Sequence, residues 1–382
     1  MHAPLPPAAL RTEWRPLPEL VAISAEWRDL ASRAVEPNVF YEPSFALAAA
    51  PLFGGGAGAI LVWAGIKPRL VGFFPAHVER RRYGVPVPVL VGWTHPYGPL
   101  GAPLVDCDAP ELVLTAWLDH IGRDRALPGL LMLPLLPDDG PLAAALASVL
   151  EATDRRYAAF GAHARALLAP VRRIDYLDRA IAGKKRKELR RQRRRLEERG
   201  PVTLVEERNA AIGDALGAFL TIEASGWKGR AGTAAAQSNE ARRFMTDAVI
   251  VLAAEGKASV YRLAAAGRTV AAAIVLRSGN GAWFWKVAYD EQLAMFSPGV
   301  LLALDLTETL LSDPAVVRTD SCATADHPMI DHIWAERLAL SDRLINLRPH
   351  REAWFRLACV LEALRRVVIA AAKSLRDTLR AR

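Results

Sequence analysis

The stretch Trp283–Leu311, which reads WFWKVAYDEQLAMFSPGVLLALDLTETLL, decides the fold of this chain. Aromatic and aliphatic side chains alternate up to Tyr289, which predicts a strand that breaks at Asp290. Ser297–Gly299 then opens an amphipathic helix of about 13 residues, because proline suits the first helical turn and the preceding serine can cap free N–H groups. Such a helix start suits an anion such as phosphate, but many α/β helices begin in this way with nothing bound. Both interpretations stay open at this level.

Size and composition bound the class of protein. With 382 residues the chain is long enough for two or three domains, and 52% hydrophobic against 24% charged residues is ordinary for a globular protein. Its 3 cysteines have no paired spacing, which argues against a disulfide framework or a zinc knuckle and favours a reducing compartment. The N-terminal segment lacks the pattern of a secretory signal, and no apolar run reaches the ~18 residues that span a bilayer. We therefore expect a cytoplasmic protein, either soluble or peripheral on the inner face of the membrane.

The net charge of +8 is unevenly placed. Lys184–Arg199 holds ten Lys/Arg against three Glu, and the tail His350–Arg382 holds eight against three acidic residues. The rest of the chain is therefore slightly acidic. This is not the charge distribution of a uniformly basic nucleic-acid binder, and the first basic segment lacks the interleaved aromatics of an RNA-binding module. Nucleic acid is a disfavoured partner.

The order of predicted elements indicates an α/β protein in both halves. In the second half a strand, two helices, an antiparallel three-strand meander, a helix and a last strand follow one another. The predicted strands are 59–64, 69–80, 85–93, 129–135, 157–171, 202–207, 258–266, 269–278, 282–289 and 316–321. The predicted helices are 25–34, 43–50, 111–121, 141–152, 184–199, 210–225, 239–255 and the one that opens at Ser297.

A set of motifs in the second half points to a known family. They are the basic helix before Val202, then Trp227, Arg262-Leu263, Val270-Ala271, Tyr289-Asp290, Ser297-Pro298-Gly299 and Thr319-Asp320. With these motifs the second half resembles the GNAT acyltransferases, and the whole chain resembles the double-GNAT branch related to the FemAB-type transferases. The match is good over 172–349, whereas the first half matches in architecture only.

The resemblance implies two GNAT-like domains with mixed sheets. The predicted segments are a degenerate N-terminal GNAT-like domain over 1–178, a basic linker helix over 179–199, a C-terminal acyltransferase domain over 200–349 and a basic amphipathic helical tail over 350–382.

The resemblance also implies an acyl-CoA co-substrate, either acetyl-CoA or a longer acyl-CoA. Its pantetheine would lie along strand 282–289 and its pyrophosphate at the helix start that follows. The implied cofactor-binding residues are Trp285, Lys286, Val287, Tyr289, Ser297, Pro298 and Gly299. The chain departs from simple GNAT proteins in one respect. Those proteins have a glycine-rich pyrophosphate loop, and this chain keeps only Gly299 of it. FemAB-type enzymes use charged tRNA as the donor, so the donor stays open.

The loop after the last predicted strand, DSCATADHPMIDHIW, carries the candidates for catalysis. Acyl transfer to an amine needs a base, and a loop at the carboxyl end of an α/β strand is where sites are usually built. We take His327 as the preferred base, with Asp320 to position it and His332 as a further candidate. A structural loop with surface histidines is the competing interpretation. Cys322 is more typical of a buried apolar residue than of a nucleophile. The spacing matches no metal-ligand pattern, so no metal is expected.

The tail has apolar residues every three or four positions, which predicts an amphipathic helix with a basic opposite side. The apolar positions are Trp354, Leu357, Leu361, Leu364, Val368, Ala371, Leu375 and Leu379. Packing on the body of the protein and binding to an anionic membrane surface are both compatible with this pattern. The Lys184–Arg199 segment is likewise either a solvated helix or a contact for anions.

These observations favour an acyl-CoA-dependent N-acyltransferase that acts on an amine, either a small molecule or a lipid or envelope precursor. Two alternatives stay open. One is a FemAB-like transferase that depends on aminoacyl-tRNA. The other is a non-catalytic double-GNAT scaffold in envelope or polysaccharide assembly.

Overall fold

The computed structural model describes residues 10–380, apart from the side chains of residues 209, 370 and 373–380. The secretory-signal question at the N-terminus and the stripe positions Leu375 and Leu379 lie outside the residues and side chains described. The helices are α1 Ser24–Ser32, α2 Pro43–Phe53, α3 Pro110–Arg123, α4 Pro141–Ala152, α5 Tyr176–Ala180, α6 Gly183–Glu197, α7 Ile212–Ser225, α8 Trp227–Arg230, α9 Asn239–Ala254, α10 Pro298–Ser312 and α11 Glu352–Arg380. The strands are β1 Arg11–Pro16, β2 Ala57–Ala64, β3 Arg69–Glu79, β4 Val89–Gly92, β5 Leu104–Val105, β6 Leu130–Pro137, β7 Tyr157–Leu168, β8 Val202–Glu207, β9 Ala258–Ala265, β10 Arg268–Ser278, β11 Gly281–Tyr289, β12 Arg318–Asp320 and β13 Glu336–Asn346.

The chain forms two compact units, and neither is a continuous segment. The first unit takes residues up to Tyr41, Gly54–His163 and residues from Ala339 onward. The second unit takes Glu42–Phe53 and Ala164–Leu338. These units are not the predicted segments, since α2 belongs to the second unit, while most of β13 and the tail belong to the first.

The first unit is built on a mixed sheet in which β1, β2, β3, β4, β6 and β13 are neighbours in that order. Only the β4–β6 pair is parallel in this series. Side chains of β3 alternate between the two faces. Phe73 stacks on Trp27 of α1 with ring centroids 4.1 Å apart, and Phe74 stacks on Trp117 of α3 at 3.9 Å. The aromatic pairs thus fix a helix on each side of the sheet.

The beginning of α11 packs on this first unit. Phe355 and Ala358 are buried in a cluster with Val89, Met132 and Leu344. Glu362, two turns further on, is 1% exposed and accepts hydrogen bonds from the Arg82 guanidinium and the Tyr83 hydroxyl. A buried carboxylate with these two donors anchors the helix as firmly as the apolar contacts do.

The second unit is built on the series β12, β11, β10, β9 and β8, in which only the β11–β12 pair is parallel. Tyr261 of β9 and Val275 of β10 pack in one cluster with Leu302 of α10. The alternate residues of the same strands face the opposite side, where α7 and α9 contact the sheet. Phe45 of α2 meets Phe244 of α9 edge to face at 5.4 Å, which explains why α2 joins this unit.

The α/β fold class with mixed sheets is confirmed, and the predicted meander 258–289 is present as β9, β10 and β11. The predicted strand 85–93 is shorter, since β4 covers only Val89–Gly92 and the preceding Pro86 and Pro88 have no N–H to donate to a ladder. No prediction covered β1 or β13. Across the described chain, no helix is both long enough and apolar enough to cross a bilayer.

Candidate functional site

A cleft opens in the second unit where β11 and β12 separate. The two strands pair in parallel over three positions, from Gly281↔Arg318 to Trp283↔Asp320. β12 then ends, whereas β11 runs on to Tyr289. Opposite the separation point, the register with β10 shifts so that Trp285 is an extra residue in β11. Such a bulge bends a strand and increases its twist, which accounts for the divergence of β11.

The two faces of the free half of β11 meet different surroundings. Val287 and Tyr289 pack against the core that contains α10. Because successive side chains of a strand alternate, Lys286 and Ala288 point to the opposite side, toward α7 and α8. The cleft therefore has an α10 side and an α7 side.

On the α10 side lies a cavity of about 540 Å³. Its walls are mostly apolar and come from the loop 180–182, α6, the first turn of α10 and the segment 328–335. Val300 and Leu189 belong to these walls. Polar groups come from Lys185, His332 and the carboxylate of Asp331. An apolar cavity with a few polar groups beside a helix start is typical of a site for an elongated, partly anionic ligand.

The start of α10 differs from the expected cap. Ser297 has φ 50° and ψ 50°, which is the left-handed region, and its side chain makes no capping hydrogen bond. The predicted serine cap is therefore wrong, because the αL backbone turns the hydroxyl away from the helix N–H groups. Pro298 and Gly299 are buried. A side chain at Gly299 would place Cβ 3.1 Å from Cδ1 of Tyr289, so this glycine makes room for the tyrosine ring.

Trp285 is packed away from the cleft. Its ring is 4% exposed and meets Phe45 at 5.5 Å and Phe244 at 6.2 Å, both edge to face. The side chain thus contributes to the core between α2, α9 and the sheet. Of the residues implied for cofactor binding on β11, Lys286 has the side chain that faces the α7 side of the cleft.

The α7 side carries a charged group. Glu223 is 6% exposed, and its carboxylate accepts hydrogen bonds from Lys228 Nζ at 2.9 Å and from the Ala235 N–H at 3.0 Å. Burial is the main cause that lowers the pKa of Lys286 to about 8, the positive charge of Lys228 acts in the same direction, and Glu223 and Cys322 act in the opposite one. A small cavity of about 30 Å³ separates Glu223 and Lys228 from Ala288, which is room for one water molecule.

Asp320 is bound by an arginine rather than by a histidine. Arg165 of β7 donates from Nε to one carboxylate oxygen at 2.7 Å and from Nη2 to the other. The first of these oxygens also accepts from the Cys322 N–H at 2.9 Å. No hydrogen bond joins Asp320 to His327 among the residues described. The structure thus gives this carboxylate a buried guanidinium as its partner, and the pairing of Asp320 with His327 stays a prediction.

His327 and His332 differ in their hydrogen bonds and in their exposure. The Nδ1 atom of His327 accepts hydrogen bonds from the N–H groups of Met329 at 3.2 Å and Ile330 at 3.5 Å, which leaves Nε2 to face other partners. Burial lowers the pKa of His327, and Lys228 contributes in the same direction. His327 is thus neutral at pH 7, as a base must be. His332 is exposed and lines the α10-side cavity.

Cys322 is poorly suited to nucleophilic attack. Burial raises the pKa of its thiol well above the usual value, and the charge of Asp320 adds to this effect. Its φ of 53° places it in the left-handed region, directly after the Arg165-bound aspartate. The thiol form and the strained turn favour a structural role at the end of β12.

Sequence reasoning missed Glu223 and Lys228. A signal was present, because the buried face of α7 is Ile212, Ala215, Leu216, Phe219, Leu220 and Glu223. Glu223 thus falls in register with an apolar stripe, where a carboxylate is expected only with a partner. Lys228 follows five residues later, on the short helix α8.

Comparison with known proteins places this geometry in a family. Residues 183–320 match the model of the acetyltransferase (GNAT) domain. No curated protein matches the chain in sequence. Among solved structures, FemX is similar with TM-score 0.58 and 9% identity over 85% of this chain and 95% of its own. The C-terminal domain of a putative lysylphosphatidylglycerol synthetase from Agrobacterium fabrum is similar with TM-score 0.55 and 10% identity over 88% and 94%. A conserved protein of unknown function from Bacteroides thetaiotaomicron gives TM-score 0.51 and 12% identity over 88% and 99%.

The fold and the separated β11–β12 pair thus define an α/β acyltransferase class. The chain carries a GNAT domain over residues 183–320. The predicted resemblance is confirmed, and the fold shared with FemX agrees with the FemAB-like branch. At identities of 9–12% the similarity to these structures supports a shared fold and nothing further.

Proposed function

We propose that this protein is an N-acyltransferase that moves an acyl group from an acyl-CoA thioester to a primary amine. The observation that carries the proposal is the cleft between β11 and β12, with a cavity at the start of α10 on one side and Lys286 with Glu223 and Lys228 on the other. The donor would enter from the α10 side and the acceptor amine from the α7 side.

The donor side suits the parts of an acyl-CoA. The cavity of about 540 Å³ has apolar walls for pantetheine or the acyl chain, and Lys185 can pair with a phosphate. The start of α10 adds the positive end of a helix dipole beside Val300. Acetyl-CoA and longer acyl-CoA donors are both compatible with these walls.

The chemistry requires a new C–N bond and the loss of the C–S bond. The amine nitrogen attacks the thioester carbon, one proton leaves the nitrogen, and the CoA thiolate departs and takes up a proton. Lys286 is placed to accept the proton in its neutral form, since a pKa of about 8 leaves a useful neutral fraction near neutral pH. β12 does not pair with β11 beyond Trp283, so this edge of β11 offers backbone N–H groups to the oxyanion of the tetrahedral intermediate.

Glu223 and Lys228 would act through their charges, which determine the electrostatic potential at Lys286 and at the acceptor ammonium group. Glu223 is a buried carboxylate next to the small cavity on the α7 side, where an incoming ammonium would be attracted. His327 remains a second candidate for the base through its Nε2 atom. The acceptor class is thus a small-molecule or lipid amine.

Calorimetry with acetyl-CoA and with a long-chain acyl-CoA tests the donor. Replacing Lys185, which lines the cavity, by Glu should weaken binding on the order of tenfold or more, because a phosphate would lose one charge-assisted contact and gain a repulsive one. Lys184→Glu is the matched control, since this neighbour on the same basic helix is exposed and does not line the cavity.

Equal affinity of the two variants would refute the donor site. Absence of acyl-CoA binding, together with transfer from an aminoacyl-tRNA, would establish the FemAB-like alternative. Binding without any transfer to a panel of amines would support the scaffold alternative.

A further inference from the structure

Helix α11 exposes a second apolar face beyond the one that packs on the first unit. This outer stripe comprises Trp354, Leu357, Val360, Leu364, Val367 and Val368, and its members are between 39% and 66% exposed. They recur every three or four residues and so line one side of the helix. A contiguous exposed apolar stripe of this kind marks an interaction surface, since monomeric proteins rarely leave one uncovered.

An arginine pocket lies at the N-terminal end of the same helix. It is a cavity of about 260 Å³ whose lining includes Arg80, Arg125, Arg348 and Arg351, and Trp354 of the outer stripe forms part of its wall. Arg348 donates to the carbonyl oxygens of four residues of the 121–127 segment, so its position is fixed. The other three arginines pair with no carboxylate of the residues described.

Positive charge is crowded in this pocket. Burial lowers the pKa of Arg348, and the charges of Arg351 and Arg125 lower it further, with Asp124 opposing them. A neighbouring anion would relieve this repulsion. Arg356 and Arg365 lie on the two borders of the outer stripe by helical periodicity, so the basic character continues along the helix.

We propose that the outer stripe and the arginine pocket together bind the surface of an anionic phospholipid membrane. The stripe lies in the boundary between headgroups and acyl chains, and the pocket takes one anionic phosphodiester headgroup. Apolar side chains bordered by arginines with a tryptophan at one end are the combination that such an interface attracts. This binding would bring the first unit to the lipid surface whatever the second unit transfers.

A second copy of the chain fits the surface less well. Pairing two outer stripes about a two-fold axis would set the same patch against itself. Each copy would bring Arg356 and Arg365, on the borders of its stripe, to the contact, so positive charge would meet positive charge there. An anionic lipid surface provides the complementary charge that a second copy lacks.

Sedimentation of the full chain with vesicles tests the proposal. Vesicles of phosphatidylcholine mixed with phosphatidylglycerol should bind the protein, and pure phosphatidylcholine should not. Added salt should weaken the binding. The double variant L364S/V368S should bind on the order of tenfold more weakly, and Arg125→Gln roughly fivefold more weakly to the anionic vesicles only. Ile66→Ser is the control, because this residue is fully exposed in the turn between β2 and β3.

All these side chains are exposed or line an open cavity, so the melting temperatures of the variants should match that of the parent protein. Equal vesicle binding by the parent protein and L364S/V368S would overturn the proposal. Failure of the parent protein to sediment with anionic vesicles would also overturn it. If the parent protein is a dimer that L364S/V368S converts to a monomer, the stripe is covered by a second copy and the membrane proposal is wrong.

Discussion

Arg165 holds Asp320 through two parallel hydrogen bonds, and both side chains are buried where β7 meets the end of β12. The pair lies at the position where β12 stops and the cleft begins. Residues 166–168 continue β7 beside Thr319 and Asp320, so the guanidinium secures the one short strand that borders the cleft. Because β12 has only three residues, it can form few ladder hydrogen bonds. The buried ion pair therefore contributes more than the ladder to holding β12 in position.

Arg165→Met should destabilise the protein by about 3–5 kcal/mol, because it leaves a buried carboxylate without its partner. Denaturant unfolding measures this difference. Arg191→Met is the matched control, since Arg191 pairs with Glu188 on the exposed face of α6, where water screens the two charges and the pair adds little to stability. Similar destabilisation by both variants would contradict the structural role of the buried pair.

The pH dependence of acyl transfer distinguishes Lys286 from His327 as the base. With Lys286 the rise of the rate should have its midpoint near pH 8, because only the neutral amine accepts a proton. With His327 the midpoint should lie below pH 6.5, since its pKa is lowered from that value. Lys286→Gln should remove the rising limb of the pH–rate profile near pH 8 and reduce kcat by ~10²–10⁴-fold. An unchanged limb in this variant would assign the base elsewhere.

Opposite shifts are expected from the two charges beside Lys286. Glu223→Gln removes a negative charge, so the limb near pH 8 should move to lower pH. Lys228→Met removes a positive charge, so the limb should move to higher pH. The profile of kcat/KM against pH measures both. Arg230→Met serves as the control, because Arg230 pairs with Glu291 and does not influence the pKa of Lys286. Shifts of the same sign in the first two variants would refute this arrangement.

The packed side of α11 is expected to be structural. Phe355→Ala should destabilise the protein by about 3–5 kcal/mol, because the ring is buried among residues of β4, β6 and β13. Val367→Ala, on the exposed side, should change stability by less than about 0.5 kcal/mol. Thermal unfolding compares the two. Deletion of residues 350–382 should lower the melting temperature as well, which is why point variants suit the membrane test better.

The start of α10 yields a prediction that differs from that for a capped helix. Ser297→Gly should leave stability equal or slightly higher, because glycine adopts the left-handed conformation without strain and no capping bond is lost. Gly299→Ala should destabilise by about 1–3 kcal/mol, since the added methyl group presses on the Tyr289 ring. A loss of stability in Ser297→Gly would contradict this account of the helix start.

Strong periodicity made much of the second unit predictable. The meander 258–289 and the helix after Ser297 were found because their apolar residues recur at intervals of two or of three and four, and the basic helix was found from its helical composition. β13 was missed because Arg337, Asp342 and Arg343 interrupt its alternation. The structure satisfies these charges locally, as when Asp342 accepts from the Leu135 N–H at 3.0 Å and pairs with Arg366.

The elements that form the candidate site could be placed from the sequence, whereas the contacts of their side chains could not. The loop after β12 and strand β11 were both found, because the end of a strand and a helix start are local features. The partner of Asp320 could not be found, since Arg165 lies 155 residues away in the chain. The same holds for Lys286, because its pKa is lowered by burial and by Lys228 and raised by Glu223, and these causes come from the folded arrangement of distant elements.

The division of the chain has a consequence for synthesis on the ribosome. β6 acquires its neighbour β13 only after residue 346 has emerged, although β1 to β4 are made first. The N-terminal part of the protein must therefore wait, with an edge of its sheet unpaired, until most of the other unit has been translated. Ala164–Leu338 is translated as one continuous segment. The only other part of its unit is Glu42–Phe53, with helix α2, which has been translated before it. We therefore expect the unit that carries the cleft to close first during translation, and the unit that begins the chain to close last.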